Sequence, residues 1–205
     1  MAARMIYLMR HGKIQHADGK RRYIGHTDIP ICQEGIDQAR QVGLMLSGVE
    51  IAGLYCSDLA RSLDTARQIG AGLALEPVAR KDLREINMGD WDGLTFSEVA
   101  LRYPEEYAQR GTDFANYRIS GGESFAECGQ RSLAALKDIM STSTGNIVVV
   151  GHAGFNRTLL CQLLGLPFAN MFNIPQDYCC INSICLEEGI SRIKMINFTV
   201  DCFGC

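Results

Sequence analysis

Two histidines and two arginines stand at positions where side chains of their types can bind and attack a phosphate group. Arg10-His11-Gly12 directly follows a short apolar run, and Gly151-His152 follows another. Arg61 lies one turn into the helix predicted after a third apolar run. Each guanidinium can hold two anion oxygens in a planar fork. Such a cluster repels itself unless an anion lies within it, and a phosphate dianion meets that need.

The two histidines add a nucleophile to this cluster. A neutral imidazole can attack phosphorus at ordinary pH, because the pKa of free histidine is about 6.5. Nearby arginines disfavour the charged imidazole and keep one ring nitrogen free. A covalent intermediate then divides one difficult displacement into two. We expect the helix that starts near Ala153 to add backbone N–H groups, and Gly12 and Gly154 to let the backbone approach the ligand.

The leaving alkoxide of a phosphate ester needs a proton, and Glu85 is the candidate donor. Its carboxyl must be protonated when substrate is bound, and a neighbouring phosphate dianion favours that form. General acid catalysis of this kind contributes about 10²–10⁴-fold. Because Asp82 and Arg84 are close in sequence, a surface ion pair is the alternative interpretation of Glu85.

Strand-like and helix-like segments alternate along the chain. The predicted strands are Met5–Met9, Leu54–Cys56, Pro77–Ala79, Ile147–Val150, Cys180–Leu186 and Ile193–Phe198. The predicted helices are Gln33–Leu46, Asp58–Gly70 capped by Ser57 or Asp58, Thr95–Tyr103 ended by Pro104, one after a Ser124/Glu127 capping box, and one reaching Leu164. This alternation predicts an α/β sandwich with a largely parallel sheet. Ligands bind beyond the carboxyl ends of such strands, where both histidines stand.

Length and composition limit the remaining possibilities. The 205 residues fit a single domain over 1–205, and the polar, aromatic stretch from Pro104 to Ser120 predicts a small inserted lobe or lid within about residues 88–124. The net charge of −3 gives no sign of a nucleic-acid or membrane-surface role. No signal-peptide pattern or membrane-spanning run is evident, so we expect a cytoplasmic protein.

The nine cysteines are expected to be free thiols in a reducing compartment. Cys56, Cys161 and Cys185 lie in apolar periodic segments, which is typical of small core residues. The tail Cys202–Cys205 has metal-ligand spacing, but a zinc site needs about four ligands, and only the adjacent pair at 179 and 180 could complete it. We therefore predict no metal and no cofactor.

The ordered motifs resemble those of histidine phosphatases in the phosphoglycerate-mutase-like superfamily. Four segments carry this resemblance, and together they span most of the chain. They are Leu8–Gly12, Cys56–Arg61 with Thr65-Ala66, Leu83–Glu85 with Gly89–Gly93, and Val150–Gly154. Weaker matches are Gly25–Pro30 and Gly121–Ser124. Any single motif is weak evidence, whereas the ordered set is specific.

The resemblance implies a role for each matching residue. His11 would become the phosphohistidine, and Arg10, Arg61 and His152 would bind phosphate. Glu85 would be the proton donor. The family fold is a three-layer α/β/α sandwich that works without a metal, and the chain length is similar to that of the short phosphatase branch, which includes the α-ribazole phosphatases.

The sequence departs from the family pattern after Gly12. The family commonly has Glu-Thr there and an asparagine three residues on, where this chain has Lys13, Ile14 and Ala17. Gln15 or His16 is a candidate for the missing amide. We expect substrate contacts from Lys13 and Gln15, and also from Tyr23 and Ala153.

The resemblance implies a metal-independent phosphomonoesterase for a small phosphorylated metabolite, with α-ribazole 5'-phosphate as the leading substrate. Phosphoglycerate-mutase-type transfer is one alternative. A non-catalytic phospholigand-binding protein is another, but it requires a missing catalytic residue and all five are present. The sequence is compatible with a homodimer and does not decide the oligomeric state.

Overall fold

Six strands form one sheet in the computed structural model, which describes residues 3–15 and 19–200. In chain order the strands are β1 (Arg4–Arg10), β2 (Ile51–Ser57), β3 (Val78–Arg80), β4 (Asn146–Gly151), β5 (Ile181–Glu187) and β6 (Ile190–Phe198). Their order across the sheet is β3-β2-β4-β1-β5-β6. The first four strands of this order run parallel, whereas β5 pairs antiparallel with β1 and β6 pairs antiparallel with β5. The prediction of a mostly parallel sheet is confirmed.

The register between β1 and β4 positions the two histidines. Arg10 lies opposite Gly151, and the two strands run parallel. Because both strands end together at one edge of the sheet, the residues that follow them become neighbours. His11 and His152 therefore emerge side by side, as the strand-end argument predicts.

Helices cover both faces of the sheet, which confirms the three-layer sandwich. They are α1 (Gln33–Leu46), α2 (Ala60–Leu73), α3 (Phe96–Arg102), α4 (Pro104–Thr112), α5 (Phe125–Thr142) and α6 (Ala153–Leu164). Alternate residues of β4 point to opposite faces. Val148 and Val150 pack with the buried residues of α1 and α2, whereas Ile147 and Val149 pack with those of α5 and α6.

The start of α2 differs from the prediction. The helix begins at Ala60 rather than Asp58, and neither predicted cap is used, since the N-cap is Leu59 with no side-chain hydrogen bond. The Ala60 N–H instead donates to Asp28 Oδ1 at 2.7 Å. A residue from a distant loop thus satisfies one of the helix's unpaired N–H groups. The capping box of Ser124 and Glu127 at α5 is confirmed.

The helix before Pro104 ends as the sequence predicted, since α3 stops at Arg102; Pro104 also has a second role. It is the first residue of α4, where the missing N–H costs nothing, so two short helices follow one another. Within residues 88–124, the Trp91 side chain is buried and contacts the rings of Tyr23, Tyr103 and Tyr107. This aromatic cluster packs the segment against the sandwich core.

The three core cysteines are buried as predicted. Cys32, Cys128 and Cys180 are free thiols, as are these three. His16, Ala17 and the tail Cys202–Cys205 lie outside the described residues. Across residues 3–15 and 19–200, every helix is too short or too polar to cross a membrane.

Candidate active site

His11 follows β1 and is held as a neutral imidazole. Its Nδ1 lies 2.8 Å from the Gly12 carbonyl oxygen, which can only accept, so Nδ1 carries the proton and Nε2 has a free lone pair. Burial holds the pKa of His11 well below its usual range, and the charges of Arg10 and Arg61 lower it further. The resting side chain is therefore the form that can act as a nucleophile.

His152, the residue before α6, has the opposite tautomer. Its Nδ1 accepts a hydrogen bond from Arg61 Nε at 3.2 Å, so the proton lies on Nε2. Burial, followed by Arg61, His11 and Arg10, holds the pKa of His152 well below the usual value. The two ring centroids are 5.2 Å apart. One imidazole thus offers a lone pair, and its neighbour offers an N–H.

Arg61 is fixed by backbone carbonyls rather than by a carboxylate. Its Nη1 donates to Thr27 O at 2.8 Å, and its Nη2 donates to Gly25 O at 2.6 Å. The residue is 1% exposed, and burial lowers its pKa. Since its hydrogen-bond partners are uncharged, the guanidinium keeps its positive charge for a ligand.

Arg61 does not pair with Asp58 or Asp64, the acidic residues three positions before and after it. Asp58 accepts two hydrogen bonds from Arg84, and Asp64 pairs with Arg67. The loop that holds Arg61 is fixed by Asp92, whose two carboxylate oxygens accept from the backbone N–H groups of residues 25, 26 and 27. The weaker motif match at Gly25–Pro30 therefore has a positioning role.

Arg10 and His152 present buried donors without partners. Arg10 Nη1 donates to Gln176 O at 2.6 Å, and its guanidinium lies 3.9 Å from the Tyr178 ring centroid. Arg10 Nε and His152 Nε2 have no hydrogen-bond partner among the described residues. An unpaired buried donor costs about 1–3 kcal/mol. These donors beside His11 therefore indicate a site for an anion.

Glu85 lies against the start of α6 and is 8% exposed. Its Oε1 accepts from the N–H groups of Ile86 and Phe155 at 2.9 Å, and its Oε2 accepts from Gly154 N–H at 3.0 Å. The alternative of a surface ion pair is therefore wrong. The expectation that the helix start binds phosphate also needs correction, because Glu85 occupies two of its N–H groups. The Ala153 N–H, at the cavity wall, stays unpaired within the described chain.

The two motif glycines allow close packing within the protein, and Gly154 also lines the cavity described below. A Cβ at Gly12 would lie 2.6 Å from the Gly35 carbonyl oxygen of α1. A Cβ at Gly154 would lie 2.6 Å from Glu85 Oε1. Gly12 is therefore needed for the packing of α1. Gly154 is needed because a side chain there would occupy the position of the Glu85 carboxylate.

A cavity of about 720 Å³ opens above these groups. Of the predicted site residues, it is lined by Arg10, His11, Tyr23, Arg61, Glu85 and Ala153. Lys13, Gln15 and His152 are not among its lining residues: Lys13 pairs with Glu34, Gln15 is exposed, and His152 is fully buried beside His11. Sequence reasoning missed Arg110, Arg157, Phe172 and Tyr178 in the wall. For Arg110, the polar and aromatic character of the predicted lobe was the available signal.

The arrangement suits anion binding and attack by a histidine nitrogen, on an α/β/α sandwich. The sequence model of the histidine phosphatase superfamily (branch 1) matches residues 6–199. The chain belongs to this superfamily, so the family resemblance drawn from the motifs is confirmed.

Named relatives support a phosphatase. The adenosylcobalamin/alpha-ribazole phosphatase of Escherichia coli (strain K12) is 29% identical, over 94% of this chain and 95% of the relative. The glucosyl-3-phosphoglycerate phosphatase of Mycolicibacterium vanbaalenii is 31% identical, over 83% and 78% respectively. The crystal structure of the alpha-ribazole phosphatase from Shigella flexneri has a TM-score of 0.84 at 27% identity, covering 95% of this chain and 96% of that chain. The chain is a phosphatase of this superfamily.

Gly154→Ala should displace the Glu85 carboxylate without removing it. The new methyl group would lie 2.6 Å from Oε1, and displacing a catalytic group by about 1 Å can lower rates about 100-fold. We expect kcat/KM for an alkyl phosphate to fall about 10–100-fold. Gly48→Ala is the matched control, because a Cβ there meets nothing within 4 Å. Equal activity of the two variants would contradict this position of the Glu85 carboxylate next to Gly154.

The two buried histidines should make the protein less stable in mild acid. In the unfolded chain they bind protons as the pH falls through about 6.5, whereas in the folded protein their lowered pKa values keep them neutral. The unfolded state then binds more protons, so the free energy of unfolding decreases as the pH falls below about 6.5. Each histidine contributes up to about 1.4 kcal/mol per pH unit.

Urea unfolding between pH 5 and pH 8 measures this dependence. His11→Gln cannot be protonated, so the wild type should lose more stability than this variant over that pH interval. The same slope in both proteins would show that His11 does not stay neutral on folding.

Proposed function

We propose that the chain hydrolyses phosphate monoesters without a metal, by passing the phosphoryl group through His11 Nε2. The observation that carries this proposal is the pair of opposite tautomers, with a free lone pair on His11 and a buried unpartnered N–H on His152. The nucleophilic nitrogen of His11 thus lies next to the His152 N–H, which can donate to a phosphate oxygen.

In the first step, His11 Nε2 attacks phosphorus and the bond to the leaving oxygen breaks. Arg10, Arg61 and His152 hold the phosphoryl oxygens and stabilise their charge. The phosphorylated ring keeps its proton on Nδ1, where the Gly12 carbonyl stabilises the resulting cation. Glu85 gives its proton to the leaving alkoxide and becomes a carboxylate.

In the second step, water attacks phosphorus and the nitrogen–phosphorus bond breaks. Glu85, now ionised, accepts a proton from that water, which restores both side chains to their starting forms. Three backbone N–H groups hold the carboxylate in both steps. Oε1 accepts two of these bonds and Oε2 accepts one, so Oε2 is the oxygen that carries the transferred proton.

The outer wall of the cavity supports a leaving group with an aromatic ring. Tyr23, Tyr107, Phe114, Phe125 and Phe172 line it. Aromatic walls favour flat apolar groups through stacking and burial. The volume of about 720 Å³ exceeds the need of a three-carbon acid and fits a nucleotide-sized ligand.

The leading substrate is α-ribazole 5'-phosphate, in which an aromatic benzimidazole is joined to the ribose that carries the phosphate. Two of the compared relatives are named for α-ribazole. Residues of the inserted segment at about 88–124 form part of this wall, including Tyr107 and Arg110 of α4. We assign this segment as the lid of a single catalytic domain.

A screen of phosphorylated metabolites tests the substrate assignment. Phosphate release from α-ribazole 5'-phosphate should exceed release from 3-phosphoglycerate and phosphoserine, with His11→Ala as the inactive control. Activity retained in His11→Ala would overturn the nucleophile assignment. Isomerised phosphoglycerate without phosphate release would favour a mutase.

Glu85→Gln tests the acid role. The amide cannot supply the proton, so kcat/KM for alkyl phosphates should fall about 10²–10⁴-fold. A nitrophenyl phosphate should be slowed far less, because its leaving group needs no proton. Equal slowing of both substrates would show that Glu85 is not the acid.

A further inference from the structure

Arg131, on α5, contacts the segment Asp82–Asn87 at several points. This segment carries Glu85 and is called the acid segment below. Its Nη1 donates to the carbonyl oxygens of Asp82 and Arg84, both at 2.9 Å. Its Nη2 donates to Glu85 O at 3.3 Å. One side chain thus binds three carbonyls within four residues, and none of these bonds reaches the Glu85 carboxyl itself.

Glu123 completes this arrangement from the turn before α5. Its carboxylate accepts from Arg131 at 2.6 Å (Nη2) and 3.2 Å (Nε). Its Oε1 also accepts from the Asn87 N–H at 2.9 Å, and its own N–H donates to Asn87 O at 3.0 Å. The acid segment is therefore held on its N-terminal side by Arg131 and on its C-terminal side by Glu123.

The ion pair between these residues lies away from the substrate. Neither Arg131 nor Glu123 lines the cavity of about 720 Å³. Their side chains are 24% and 16% exposed, so the pair is largely shielded from water. The Arg131 guanidinium also lies 5.6 Å from the ring centroid of Phe155, whose N–H holds Glu85 Oε1. Arg131 therefore connects α5, the acid segment and the start of α6.

We propose that the Arg131–Glu123 ion pair positions Glu85 for proton transfer, so that its loss impairs the acid without touching the substrate. This rests on the proposed role of Glu85. A proton donor must stand within hydrogen-bond distance of the leaving oxygen, and small displacements of a catalytic group can lower rates about 100-fold. The bonds from Arg131 to these three carbonyls oppose such displacement of the backbone at residue 85, beside a contact of 3.1 Å between His26 Nε2 and the Glu85 carbonyl oxygen.

The test compares kcat/KM for an alkyl phosphate and for a nitrophenyl phosphate in matched variants. Arg131→Met removes every donor, and we expect the alkyl-to-nitrophenyl ratio to fall about 10-fold or more. Arg131→Lys keeps the charge but not the planar fork, so its ratio should lie between those of Arg131→Met and the wild type. Arg118→Met is the control, since Arg118 bonds the neighbouring Gly122 carbonyl and Glu127 but not the acid segment.

A double-mutant cycle separates positioning from general damage to the fold. In a Glu85→Gln background, Arg131→Met should not lower the ratio further, because the acid is already gone. Equal slowing of both substrates, or a further fall in the double variant, would overturn the proposal. Where Arg131→Met does not fold, Arg131→Lys and Glu123→Gln give the same comparison. If Glu85→Gln slows both substrates equally, the acid role of Glu85 is wrong. If Glu85→Gln slows the alkyl phosphate more but the Arg131 variants slow both equally, only the positioning role of Arg131 is wrong.

Discussion

Buried positive charge without a matching carboxylate is the constraint on which the rest of the site depends. Arg61 is 1% exposed, and within the described residues it donates to two carbonyl oxygens and an imidazole nitrogen. Glu85, Asp28 and Asp92 favour the charged form of Arg61 through space, but none of them accepts a hydrogen bond from it in the described part of the chain, so the guanidinium can still bind an entering anion. Burial, reinforced by the charges of Arg10 and Arg61, lowers the pKa of His11 and of His152 and keeps both neutral. One arrangement therefore creates the anion site and maintains the nucleophile within it.

The surroundings of Glu85, the proposed acid, differ from those of Arg61. Its carboxyl already has hydrogen-bond partners within the protein. Two N–H groups of α6 and the N–H of the next residue, Ile86, donate to the carboxyl. Gly154 leaves room for it, and Arg131 holds the backbone behind it. A group that must lose and regain a proton benefits from a fixed position, since no reorganisation is then needed during reaction. In the proposed mechanism, an anion site with unpaired donors thus lies beside a proton donor whose carboxyl is held by three backbone N–H groups.

The sequence predicts the residues of this site better than the contacts that orient them. Parallel strands bring their carboxyl ends to one edge, so His11 and His152 could be placed together before the register of Arg10 with Gly151 was known. The cap of α2 by Asp28 joins residues 32 positions apart, and the bond from Gly154 to Glu85 joins residues 69 apart. Such side-chain to backbone bonds leave no periodic pattern in a sequence. The packing roles of Gly12 and Gly154 leave no signal in the sequence for the same reason, because the groups they pack against lie on distant segments.

The catalytic groups and the substrate wall come from different parts of the chain, and this separation explains how one mechanism can serve several substrates. The ends of β1 and β4 and the start of α2 carry the groups proposed to bind phosphate, whereas the aromatic wall comes from the loop before α1 (Tyr23), α4 and the residues after it (Tyr107, Phe114), α5 (Phe125) and the segment after α6 (Phe172). Arg110 of α4 lies 4.9–5.6 Å from the ring centroids of Phe125, Trp91 and Tyr23. Cation–π contacts of this kind hold the wall in place without using a carboxylate. Substitutions in α4 can therefore change which leaving group fits while His11 and Glu85 keep their geometry, and relatives named for different phosphate esters share similarity along most of the chain.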